Sequence, residues 1–143
     1  IWDQPDQYTI RMNGVKTTFF WFDYDIKAKE DFEKTNKIPD LLTLAAMKAF
    51  AMGGRGKWKD YVDLYFIFRD YFGIGEVIKK TKELFDNEFN PKLFRMQISN
   101  FNHVDYREKV EYMRGFEISE KAIKKSLAKT SLEDIEIPKK SKK

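Results

Sequence analysis

The period of the apolar positions changes along the chain, and the changes mark its elements. Tyr8–Met12 and Val15–Phe22 are rich in β-branched and aromatic residues and flank Asn13-Gly14. That dipeptide suits a two-residue hairpin turn, because both of its positions take positive φ. On the second strand Val15, Thr17, Phe19 and Trp21 alternate with Lys16, Thr18, Phe20 and Phe22. Beyond Lys16 neither set is strongly polar, so the strand is expected to be covered on both faces, with its aromatics in the core. An isolated hairpin supplies no such cover. A larger sheet or a helical layer is implied.

Asp23–Lys37 reads as a charged connector with a short helix. Helical periods follow. Asp40, behind Pro39, is placed to cap a helix over Leu41–Met52 that Gly53-Gly54 ends. A second helix is predicted from Trp58 to Phe72, with Tyr61, Leu64, Tyr65, Phe68 and Phe72 as its apolar stripe. A third runs over Gly75–Phe85, where Ile74, Val77, Ile78 and Leu84 supply the apolar residues. Asn90 and Pro91 have the chemistry of an N-cap and first turn for a fourth helix, ending near Ser99. Phe101–Phe116 is expected to be irregular, and Ser119 to cap a last helix reaching Lys129. The fold class is therefore α+β: a β-hairpin packed with a helical bundle of about five helices. The organisation divides into a sheet and connector over 1–37, a helical region over 38–130 and a basic disordered tail over 131–143.

Composition narrows the classes. With 143 residues, 42% of them hydrophobic and 16% aromatic, the chain has enough apolar material for one buried core. It contains no cysteine, which excludes disulfides, thiolate metal sites and a cysteine nucleophile, and fits a reducing cytoplasm. No apolar run approaches the ~20 residues of a membrane span, and no signal-peptide pattern opens the chain. A soluble cytoplasmic protein is expected. The chain opens at Ile1 rather than Met, as a processed chain or a portion of a longer one would. Its formal charge of +4 is less telling than it looks. Four lysines, Lys139, Lys140, Lys142 and Lys143, crowd the last five residues, and without them 23 basic residues face 23 acidic ones. Such a tail is ordinarily solvated, so net basicity says little about a nucleic-acid face.

Candidate chemistry concentrates at one place. Leu41–Met52 is apolar on all sides, as a buried helix is, and its one charged residue is Lys48. A buried ammonium either meets an anion or loses its proton. Asp60 and Asp63, three apart on one face of the next helix, are the nearest partners in sequence. The link between the helices, Gly53-Gly54-Arg55-Gly56-Lys57-Trp58-Lys59, is a basic, glycine-rich turn feeding a helix N-terminus, where phosphate groups are favoured. Its spacing matches no Walker-type loop. A Lys–Asp pair that merely locks two helices fits the same residues.

Lys37 to Phe68, KIPDLLTLAAMKAFAMGGRGKWKDYVDLYFIF, resembles AbiEii/AbiGii-type toxins of the polymerase-β-like nucleotidyltransferase superfamily. The shared order is an Ala-Met-Lys helix, an Arg-Gly turn, then Lys-Asp and, after two residues, Asp-Leu-Tyr-Phe. The similarity extends to GVKTTFFWFDY upstream and to NPKLFRMQISNFNHVDYREKVEYMRGFEIS downstream. The resemblance implies that the hairpin is the remnant of a nucleotidyltransferase sheet and that this is the C-terminal part of such a protein. It implies a toxin of a bacterial toxin–antitoxin or phage-defence system, with an NTP and Mg²⁺ as cofactors of the intact family. A tRNA or other RNA acceptor and an antitoxin protein are the implied partners. Lys48, Asp60 and Asp63 are then the candidate catalytic residues, and Lys48, Arg55 and Lys57 the candidate phosphate-binding ones. The family's Gly-Ser lead followed by an Asp-x-Asp pair, which supplies its metal ligands, has no counterpart. Asp23-Tyr24-Asp25 follows the later strand without that lead, and Thr18 stands where many relatives carry a carboxylate. No metal ligand is assigned, and the chain alone is expected to be inactive. The alternative expectation is a non-catalytic helical module that binds RNA or an antitoxin.

The remaining polar features have plainer readings. His103 is the only histidine and is expected in a surface loop. Asp105, Glu108 and Glu111 read as a solvated acidic segment, and Lys79-Lys80-Lys82 and Lys124-Lys125 as exposed helix faces.

Overall fold

The computed structural model describes residues 2–4, 7–34, 36–53 and 56–134. Three strands, β1 (Trp2–Gln4), β2 (Gln7–Met12) and β3 (Val15–Phe20), form an antiparallel sheet in the order β1-β2-β3. Asn13 at φ 50° and Gly14 at φ 82° make the turn between β2 and β3, as the Asn-Gly pair predicts. The stretch expected to be a connector with a short helix is instead a second hairpin, β4 (Glu30–Phe32) and β5 (Asn36–Ile38). Its turn places the non-glycine Glu33 at φ 54°, which neither propensity nor spacing announces.

The helices are α1 (Leu41–Ala51), α2 (Trp58–Asp70), α3 (Ile74–Phe85), α4 (Pro91–Ser99) and α5 (Glu120–Thr130). Their starts follow from capping chemistry. The Asp40 carboxylate accepts from Thr43 N at 2.7 Å, Asn90 Oδ1 from Lys92 N and Leu93 N at 3.0 and 3.2 Å, and Ser119 Oγ from Ala122 N at 3.3 Å. Glu76 closes the start of α3 by accepting from Gly73 N at 2.9 Å. Among the described residues the protein is thus α+β, small antiparallel sheets beside a bundle of five helices.

α1 packs chiefly against α3 and also against α2, while α5 joins α2 to α4. Ala45, Ala46 and Ala49 let α1 approach closely, and Tyr61, Leu64, Val77, Ile98, Ile123 and Leu127, each at most 1% exposed, lie at the centre of the core. The predicted α2 stripe is borne out at Tyr61, Leu64 and Tyr65, whereas Phe68 and Phe72 are only half-buried. α1 is not the fully buried helix its composition suggests. Thr43, Ala45, Ala46 and Ala49 are buried, but Leu41 and Ala51 are exposed.

A larger correction concerns the sheet. β3 was expected to be covered on both faces, yet Val15, Phe19, Phe20 and Trp21 are each more than half exposed. The chain joins the helices just beyond the strand. Phe22 and Tyr24 reach Phe85 at centroid distances of 6.2 and 4.7 Å, and Phe85 stacks on Phe50 at 3.9 Å and 6°. Ser131, the C-cap of α5, is buried. The rest of the expected tail, 135–143, lies outside the described residues. Among the described residues no helix is long and apolar enough to cross a membrane.

Candidate functional site

α1 presents Lys48 toward the first two turns of α2. Its Nζ lies 3.2 Å from Asp60 Oδ1 and 2.5 Å from Asp63 Oδ2. The i, i+3 spacing puts both carboxylates on one side of α2, so one ammonium meets both. Burial pushes the Lys48 pKa down, but the hydrogen bonds and charges of Asp63 and Asp60 outweigh it and raise it above the ordinary value. Lys48 therefore stays charged and has found its anions. It is less secluded than its helix suggested: 33% of the Lys48 side chain, 15% of Asp60 and 46% of Asp63 are exposed.

The basic turn is held from the other side. Asp105 N donates to Gly56 O at 2.8 Å, and Trp58 N donates to Asp105 O at 2.9 Å. This short parallel bridge docks the long loop onto the start of α2. Glu108 then ion-pairs with both Lys57 and Lys59. Asp105 and Glu108 of the segment expected to be solvated therefore form a clamp, while Glu111 is exposed as expected. Arg107 engages Asp105 through Nε and Nη2 at 3.0 and 2.8 Å and holds its carboxyl well below the usual range. A Cβ at Gly56 would come within 3.0 Å of the buried Tyr61 hydroxyl and 3.1 Å of Gln97 Nε2, so these side chains would have to give way to admit one. Arg55, with Gly54, lies outside the described residues. His103 is exposed in its loop.

The clamp makes a pH prediction. Hydrogen bonds from Lys57 and then Lys59 hold Glu108 at about 2, below its ordinary 4.5. A carboxyl whose pKa is depressed by folding contributes stability above its unfolded value and loses that contribution as pH falls through the folded value. Loop docking should be intact above about pH 4.5 and weaken progressively toward pH 2. Hydrogen exchange at the Trp58 and Asp105 amides reads this directly. Glu108→Gln should show the low protection of the acid-opened loop, relative to the intrinsic exchange rate, already at neutral pH, and equal protection in the variant at pH 7 would contradict the assignment.

A second cation is enclosed nearby. Lys124 Nζ on α5 sits 5.7, 5.4 and 5.4 Å from the ring centroids of Trp58, Phe101 and Tyr106 and ion-pairs with Glu120. Cation–π attraction toward three rings thus adds α5 to the junction of turn, loop and α2. Reading Lys124 as one of an exposed pair misses this, because the rings come from a segment without periodicity. Lys79, Lys82 and Lys125 are exposed as expected.

Two surface cavities lie elsewhere. One of about 310 Å³ is bounded by α3, α4 and Leu132, and one of about 420 Å³ by the end of α1, Phe89 and α4. Lys48, Lys57, Asp60 and Asp63 line neither. The carboxylates also do not fit a Mg²⁺ ion. Asp60 and Asp63 each give an oxygen to Lys48, and among the described residues no three His, Cys, Asp or Glu side chains converge as a metal-holding group. Asp25 turns to Lys27 at 2.7 Å, Tyr24 donates to Glu88 at 2.7 Å, and Thr18 pairs with Thr9 at 3.0 Å.

Comparison with known proteins adds little to this geometry. No family model matches the chain, and no solved structure matches it. Over 92 residues it is 29% identical to an uncharacterized protein of Aquifex aeolicus (strain VF5), aq_aa25, covering 61% of this chain and 44% of that protein. The chain thus spans less than half the length of this relative.

Proposed function

We propose that this chain is the C-terminal, helical part of a nucleotidyltransferase-like toxin of a bacterial toxin–antitoxin or phage-defence system, and that by itself it transfers no nucleotide. One observation carries the reading: Lys48 of α1 is oriented by Asp60 and Asp63 of α2 beside the basic turn. These are the residues on which the resemblance rests. In this reading Lys48 is the group that meets NTP phosphates, Asp60 and Asp63 position it, and Arg55 and Lys57 assist. A phosphate must displace a carboxylate from Lys48, and Glu108 from Lys57, before either lysine serves it. Binding by this chain alone is therefore expected to be weak. The Asp-x-Asp strand motif that supplies metal ligands in the family is absent from this sequence, which is why no transfer is expected.

A second reading is favoured by the same ion pairs. Their saturation suits a non-catalytic helical module whose RNA or antitoxin contacts lie elsewhere. Equilibrium titration of the chain with ATP and GTP, repeated on Lys48→Ala, separates the two. The first reading expects measurable affinity that falls at least about tenfold, or ~1.4 kcal/mol, in a variant that remains folded. No NTP affinity in the parent chain sinks the first reading. Salt-dependent RNA binding that survives Lys48→Ala supports the second. Mg²⁺-dependent incorporation of labelled NTP into RNA by the purified chain would overturn the expectation of inactivity.

A further inference from the structure

The β2–β3 ribbon is amphipathic, and its apolar face is open to solvent along with its polar one. Tyr8 lies opposite Phe19, Ile10 opposite Thr17 and Met12 opposite Val15. Directly opposed residues point to the same side of a sheet, so these six share a face, which Trp21 extends by the same alternation. Gln7, Thr9, Arg11, Lys16, Thr18 and Phe20 make the other. That second face is the one linked to the helices, through the edge contact of Phe20 with Phe22 and of Phe22 with Phe85. The apolar face has no cover among the described residues. Tyr8 is 43% exposed, Met12 60%, Val15 63%, Phe19 58% and Trp21 75%.

We propose that this face is a homodimer interface, with a second copy of the chain packed face to face on it. Two observations select a second copy. The first is area. Aromatic side chains of roughly 150–250 Å² each, opened to this degree together with Met12 and Val15, expose on the order of 600 Å². That is at the top of the roughly 300–600 Å² of the largest patch on an ordinary monomer. It approaches the ~800 Å² that each partner contributes to a stable interface. The second is charge. Across a two-fold axis a surface meets itself, so a cation on it would meet a cation. The ribbon puts both of its charged residues, Arg11 and Lys16, on the opposite face. Asp3, opposite Tyr8 in register, stands only at the β1 margin. Two such sheets stack about 10 Å apart with their side chains interleaved. Pairing through the open edge of β3 would satisfy backbone groups and leave the apolar face wet, so face-to-face packing is the arrangement that answers the exposure. In the nucleotidyl reading the upstream part of the sheet competes for this face, and a chain that stays monomeric throughout favours that occupant.

Sedimentation equilibrium of the intact chain over about 1–200 μM tests it, a range chosen around ordinary micromolar affinities. A reversible monomer–dimer equilibrium that stops at two is expected. Val15→Lys and Phe19→Lys, each of which sets a charge against its own copy, should weaken the dimer at least about tenfold. Lys16→Glu on the other face should leave it unchanged. The helical circular dichroism of all three variants should match the parent, because none of these residues belongs to the helical core. A parent chain that is monomeric throughout overturns the proposal. So does open-ended association beyond two, or a dimer as tight in Val15→Lys and Phe19→Lys as in the parent. If either lysine variant lost its helical signal, Thr17→Lys at the centre of the face would decide in its place.

Discussion

Phe85→Ala is expected to lower the stability of the chain by about 3–5 kcal/mol and to loosen the attachment of the sheet to the helices. The ring is 3% exposed at the end of α3. It stacks on Phe50 of α1 and receives Tyr24 and Phe22 edge-on, at 82° and 78°. Aromatic pairs of these geometries contribute about 0.5–1.5 kcal/mol beyond their buried area, and one truncation removes three of them. The cavity left would not collapse readily. Tyr24 is fixed at its far end by its hydrogen bond to Glu88, and Phe50 is carried on a helix whose other contacts remain. Two measurements check the prediction. Urea unfolding followed by far-ultraviolet circular dichroism should give the stability loss. Limited proteolysis should find the 20–40 segment cut faster in the variant under conditions where the helices stay intact. A loss below about 1.5 kcal/mol, with unchanged proteolysis, would mean that other contacts dock the sheet.

That cluster also shows what was legible in the residues and what was not. The helices were readable because their signals are local. Asp40, Asn90 and Ser119 cap within three residues, Gly53 and Gly73 punctuate, and the spacing of Tyr61, Leu64 and Tyr65 needs no tertiary knowledge. The Lys48 pairing was readable for a related reason. A lone cation on an apolar helix demands an anion, and α2 offers two on one side. Cover was not readable. Alternation tells which residues share a face of β3, but not whether anything packs there, so Phe19 and Trp21 were expected in a core they do not enter. Glu108 escaped for the opposite reason. Its partners Lys57 and Lys59 lie some fifty residues away, and an irregular loop has no period from which to infer a direction. The β4–β5 hairpin turns on a glutamate at positive φ, which carries no signal of its own.

Removing the ammonium at the α1–α2 junction should be the other costly change. Lys48→Ala leaves Asp60, only 15% exposed, facing Asp63 with no cation between them. Breaking a fully buried pair costs 3–5 kcal/mol, and an exposed pair about 0–1. The partial exposure of Lys48 and Asp63 puts the expected loss at about 1–3 kcal/mol. The partners are not equivalent. Asp60→Asn should cost more than Asp63→Asn, because Asp60 is the more secluded of the two. Lys48→Met combined with Asp60→Asn should recover part of the single-variant loss, since the combination removes the stranded charge. The pH dependence has a definite sign. Lys48 is raised above 10.5 in the folded chain, so its contribution is fully present below about that pH and is lost as pH rises through the raised value. The stability difference between the parent and Lys48→Met should therefore be flat from pH 6 to 9 and shrink in more alkaline buffer. A difference that fell away already near neutral pH would mean that the ammonium is not held as a charged partner of both carboxylates. Lys48→Arg keeps the charge, so it should retain most of the stability. If the parent binds nucleotide and Lys48→Arg does not, the lysine's reach toward a phosphate is separated from its service as a lock between the helices.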